Sequence, residues 1–68
     1  MYHPTTRVLA TLELLQARPQ IGGAELAARL EVDGRTVRRY ITILQDLGIP
    51  VEATRGRHGP YRLRPALK

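Results

Sequence analysis

Residues 23–48 read GAELAARLEVDGRTVRRYITILQDLG, two helical patterns separated by three residues. Leu26, Ala27 and Leu30 fall at helical spacing and predict the inner face of a helix over about 23–30. Gly22 is its expected cap. Glu25 stands at the third helical position, half of a capping box with Gly where Ser or Thr is usual. Val37, Ile41, Leu44 and Leu47 repeat the spacing and predict a longer helix over about 34–47, stopped by Gly48. Only Glu31-Val32-Asp33 connects the two. Asp33 is a good cap, and its charge suits the positive end of the helix that follows. Arg35, Thr36, Arg38, Arg39 and Thr42 are left facing outward, mostly on the first turns.

Upstream, Met1–Pro4 reads as a lead-in, and Thr5 or Thr6 as the cap of a helix over about 5–17. Val8, Leu9, Leu12 and Leu15 are its expected buried stripe, with Leu14 at the edge, and Pro19 bars continuation. Ile21, between Pro19 and a glycine pair, is either a very short strand or an anchor into the core. Downstream, residues 49–64 read as a hairpin. Val51 and Ala53 share one face, and Glu52 and Thr54 the other. The tip is RGRHGP, residues 55–60. Tyr61 and Leu63 can pack on the helices while Arg62 and Arg64 face water or phosphate. The expected fold is mainly α with a small β-hairpin: a winged helix-turn-helix of three helices and a two- to three-stranded wing, forming one domain over residues 1–68.

Composition narrows the function. Sixty-eight residues leave little room for a buried catalytic pocket. There is no Cys, and His3 and His58 have no ligand-like neighbours, so neither a metal nor another cofactor is expected. No apolar run is long enough for a membrane span, and no catalytic arrangement is visible. A soluble cytoplasmic, nucleoid-associated protein with no membrane partner and no enzymatic role is the expectation.

Net charge is +5, and ten of the eleven cations are Arg. Residues 1–34 hold three Arg against four acids, whereas residues 35–68 hold eight cations against Asp46 and Glu52. A basic half with few acids predicts an anionic partner. A helix of about 10–12 Å diameter fits a major groove about 12 Å wide, and its leading turns reach the base edges. Arg35, Thr36, Arg38 and Arg39 are therefore the candidate base contacts on double-stranded DNA. Thr42, Arg62 and the tip residues Arg55, Arg57 and His58 are candidates for the backbone or a minor groove. The two basic elements follow one another in the chain and are expected to share a face. The same residues also suit a solvated Arg-rich surface. Other readings are a winged-helix protein-interaction module, which would not need the cations, and the N-terminal regulatory domain of an enzyme. RNA binding is disfavoured because there is no aromatic stacking platform.

The set AELAARL (24–30), Val32, RTVRR (35–39), LGIPVE (47–52) and GPYRL (59–63) resembles the N-terminal winged helix-turn-helix of the WYL-domain transcription regulators, a DeoR-like or YafY-like group. The resemblance spans roughly Thr5 to Arg64. It implies that the third helix reads DNA through Arg35, Thr36, Arg38 and Arg39, and that the hairpin is a wing carrying Arg55 and Arg57. It also implies an effector-binding domain after the wing, so the chain is expected to be the DNA-reading part of a longer bacterial regulator. That regulator would be a homo-oligomer through its missing C-terminal region, and the 68-residue piece a monomer or weak dimer. Three positions depart from the pattern. Glu31 stands where Gly is usual, at a cost of about 1–2 kcal/mol if it is left-handed. Gly34 replaces a polar or basic residue. Tyr40 stands where Asp is frequent, and either packs beside the helix or brings its hydroxyl to a phosphate.

Overall fold

A computed structural model of the chain describes residues 4–54 and 60–64. Three helices, α1 (Pro4–Ala17), α2 (Gly23–Leu30) and α3 (Gly34–Asp46), are followed by strands β1 (Val51–Ala53) and β2 (Tyr61–Leu63). The strands pair antiparallel with Val51 opposite Leu63, Glu52 opposite Arg62 and Ala53 opposite Tyr61. Ile21 adds a bridge on the free edge of β2: its amide donates to the Tyr61 carbonyl at 2.9 Å, and the Tyr61 amide donates back at 2.8 Å. Ile21 is also fully buried, so it is both the short strand and the anchor. The architecture is the expected one, three helices and a small hairpin with a third bridging residue.

The core lies where the three helices meet the sheet. α1 packs on α2, α3 and β2, α2 on α3, and α3 on β1. Val8 and Leu15 of α1, Leu26 and Leu30 of α2, and Val37, Ile41 and Leu44 of α3 converge there with Ile21, Val51 and Tyr61. Ala27 is half-buried against this cluster, where its small side chain lets a neighbouring helix approach.

Three local expectations are corrected. α1 begins at Pro4, so Thr5 and Thr6 lie inside its first turn and do not cap it. Proline suits a first helical position, where its missing N–H has no intrahelical acceptor anyway. Leu9 is 55 % exposed and does not belong to the buried stripe. It sits about 100° round the helix from Val8, and Thr11 takes the inward place. The Thr11 hydroxyl tolerates full burial because it donates to the Arg7 carbonyl at 2.8 Å. Finally, Leu47 is 70 % exposed, although it continues the α3 spacing.

The α3 exit explains Leu47. Gly48 adopts φ +91°, a left-handed turn that redirects the chain. Its amide donates to the Gln45 carbonyl and the Ile49 amide to the Leu44 carbonyl, both at 3.0 Å. This is the Schellman pattern. Ile49 packs on the core in place of Leu47. The exit of α2 repeats the pattern with a different residue: Glu31 is left-handed at φ 59°, and the Val32 amide donates to the Ala27 carbonyl at 3.0 Å. A side chain in that geometry costs about 1–2 kcal/mol, partly offset because glycine gains about 0.4–1 kcal/mol of freedom when unfolded. Glu31→Gly is therefore expected to stabilise the domain, raising its melting temperature by roughly 3–6 °C. A thermal melt showing no rise would mean that the turn carries no strain.

Candidate nucleic-acid interface

Asp33 starts α3. Its backbone is extended, and its carboxylate accepts from the Thr36 amide at 2.8 Å. That amide, then the Thr36 hydroxyl, then the nearby Arg35 charge hold the Asp33 carboxyl below its ordinary value of 3.8. A depressed folded-state pKa contributes stability that is present above the unfolded value and lost as pH falls through the folded one. Asp33→Asn is thus expected to keep a capping oxygen while flattening the loss of stability below about pH 4. Urea denaturation at several acidic pH values checks this. Equal acid sensitivity in both proteins would remove Asp33 from the account.

α3 is strictly two-sided. Val37, Tyr40, Ile41 and Leu44 are buried, whereas Arg35, Arg38, Arg39 and Thr42 are exposed. The exposed four stand at i, i+3, i+4 and i+7, which places them along one stripe roughly opposite the core. Thr36 flanks the stripe and is half-buried. Its amide and hydroxyl serve the Asp33 cap, so of the four expected base contacts it is the one already engaged within the protein. Thr42 donates its hydroxyl to the Arg38 carbonyl at 3.0 Å and keeps its methyl and lone pairs outward. Tyr40 is 6 % exposed and belongs to the core cluster. Of its two expected roles the structure gives it packing, and it is withdrawn from the candidates for backbone contact.

The other basic groups are placed differently. Glu25 does not turn back to cap α2. It accepts from Arg18 at 2.7 Å and from Arg29 at 3.0 Å, tying the end of α1 to α2. Arg62 pairs across the hairpin with Glu52 at 2.5 Å, and Arg64 reaches the other carboxylate oxygen at 3.5 Å. Arg62 is therefore exposed but shares a local counter-charge, which weakens it as a phosphate ligand. Arg35, Arg38 and Arg39 form no salt bridge among the described residues. Arg55, Arg57 and His58, the expected tip contacts, lie outside the described residues. The hairpin base leading to them is fixed by the Thr54 amide donating to the Pro60 carbonyl at 2.8 Å. Gln45 joins α3 to the hairpin by donating to the Val51 carbonyl at 2.9 Å.

Sequence reasoning missed the Glu25 and Glu52 pairings. The Glu25–Arg29 spacing of four residues was a legible signal for one of them. The others depend on tertiary neighbours. Among the described residues there is no group of three or more His, Cys, Asp or Glu that could hold a metal, and no helix is long and apolar enough to cross a membrane.

A three-residue turn between two packed helices, the second exposing its cationic stripe, with a hairpin against the bundle, defines a winged helix-turn-helix domain. The chain belongs to the HTH domain family, whose model matches residues 7–62. It is 39 % identical over 62 residues to the HTH-type transcriptional regulator Rv1719 of Mycobacterium tuberculosis. That match covers 90 % of this chain and 23 % of the regulator, so the chain spans less than a quarter of its relative's length. No solved structure matches the chain.

Proposed function

We propose that this chain is the double-stranded DNA-reading domain of a bacterial transcription regulator of the WYL type, acting in the cytoplasm without catalysis. α3 enters the major groove with Arg35, Arg38 and Arg39 leading, and the wing tip, with Arg55 and Arg57, lies on the backbone or in the adjacent minor groove. One observation carries the reading: among the described residues the three arginines on the exposed face of α3 form no salt bridge, Arg35 acting on Asp33 only as a nearby charge, whereas Arg18, Arg29, Arg62 and Arg64 each pair with a carboxylate. A solvated structural helix gains from placing acids among such cations at helical spacing. A surface meant for phosphates and guanine edges gains from excluding them. The likeness to a transcriptional regulator supports the same partner. A protein-interaction module sharing the fold would have no use for a stripe of this kind.

Binding of the chain to a labelled duplex, followed from roughly 50 to 300 mM salt, tests the proposal. Each neutralised phosphate contributes about −0.9 to the slope of log affinity against log salt. On a duplex without a preferred site, where all three α3 arginines rest on phosphates, they give roughly −3, and the addition of Arg55 and Arg57 brings the slope to about −4.5. Salt-independent binding, or none at the lowest salt, contradicts it.

A further inference from the structure

The chemistry of the exposed α3 face also restricts which bases it can read, an inference that rests on the DNA-binding reading above. Each base edge in the major groove asks for a particular kind of side chain. Adenine is met by the paired donor and acceptor of Asn or Gln, cytosine by a carboxylate that accepts from its amino group, and guanine by the two-pronged donor of Arg. The chain contains no Asn. The single Gln of α3, Gln45, donates its amide to the Val51 carbonyl and sits ten residues beyond Arg35, about 15 Å along the helix axis. The acids bracketing α3 are equally unsuited to cytosine, since Asp33 accepts from Thr36 as the cap and Asp46 is in the last turn. What remains on the leading stripe is Arg35, Arg38 and Arg39, with Thr42 behind them. Thr42 has already donated its only hydroxyl proton to Arg38, so it offers a methyl group and lone pairs.

We infer that this domain selects guanine: its preferred site carries at least two guanines, on either strand, within a window of about four consecutive base pairs. The window follows from the helix. Arg35 to Thr42 spans about 10 Å at 1.5 Å per residue, or about three base-pair steps of 3.4 Å. Two of the arginines contact guanine O6 and N7 through their paired donors, and the third is free to hold a phosphate. Thr42 lies at the edge of the window, where its methyl meets a thymine methyl or its oxygen accepts from an amino group.

The test begins with selection of bound duplexes from a random pool by the 68-residue chain. The selected guanines are then replaced one at a time by 7-deazaguanine, which lacks the N7 acceptor but leaves the phosphates and base pairing in place. Each replacement at a contacted guanine is expected to weaken binding by about tenfold. Of Arg35→Lys, Arg38→Lys and Arg39→Lys, two are expected to lose about tenfold or more on the selected site while all three stay within about twofold of wild type on an unrelated duplex. Lysine replaces the charge but not the planar fork. A selected core made only of A·T pairs, or a guanine core indifferent to 7-deaza replacement, overturns the guanine preference and leaves DNA binding intact. Failure to bind any duplex in the pool at about 50 mM salt overturns both.

Discussion

Replacing Arg35, Arg38 and Arg39 together by Ala is expected to reduce affinity for duplex DNA by about 100-fold or more, with little change in folding stability. The size follows from about 1–3 kcal/mol for each arginine that meets a base edge or a phosphate, summed over three. Full additivity would give more, but the three share one helix face and their contributions are coupled. Stability changes little because all three are exposed and hold no salt bridge among the described residues, the Arg35 charge near Asp33 being a minor contribution at an exposed site. Alanine also raises helix propensity slightly. The control is Arg18→Ala with Arg29→Ala. These arginines share the Glu25 carboxylate on the α1–α2 side, and their removal is expected to change affinity by less than about threefold. Anisotropy titrations at one fixed salt concentration measure both variants. A comparable loss in the two would mean that net charge alone, and not the α3 face, drives binding.

The second large effect is on folding. Leu26 and Leu44 are essentially inaccessible and touch the cluster from α2 and α3. Truncation of such a leucine costs about 2–5 kcal/mol, from lost transfer energy and the cavity left behind. A domain of this length has a total stability of only about 3–10 kcal/mol. Leu26→Ala is therefore expected to remove half or more of it, and much of the α3 presentation with it, because α2 and α3 are packed together. Leu47→Ala, by contrast, is expected to change stability by less than about 0.5 kcal/mol, since that leucine is 70 % exposed. Urea denaturation followed by circular dichroism separates the two. Equal losses would return Leu47 to the core and contradict the redirected chain at Gly48.

The pair of substitutions also marks where sequence pattern stops being informative. Helical spacing located α2 and α3 and most of their buried faces, because Leu26, Leu30, Val37, Ile41 and Leu44 leave no other way to bury apolar area. Asp33 was legible as a cap because its side chain acts on an amide three residues away, a local event. The errors fall where spacing competes with something nonlocal or with backbone turning. Leu47 obeys the period but lies at the point where Gly48 turns the chain away. Thr11 was passed over in favour of Leu9 because a hydroxyl reads as polar until its i−4 carbonyl partner is taken into account. Tyr40 was ambiguous because its ring and its hydroxyl favour different surroundings, and only the tertiary packing decides. Of the expected contacts, Thr36, a base candidate, and Arg62, a backbone candidate, are both engaged within the protein. Their engagement with Asp33 and Glu52 depends on the helix cap in one case and on cross-strand register in the other.

Duplex recognition is assigned above to the exposed stripe of α3. Amide chemical-shift mapping of the isotope-labelled chain during titration with its selected duplex tests it most directly. The largest shifts are expected to cluster on residues 34–42, with small changes at Arg18, Arg29 and the outer side of α1. Shifts concentrated on the α1–α2 side, with residues 34–42 unmoved, would contradict it.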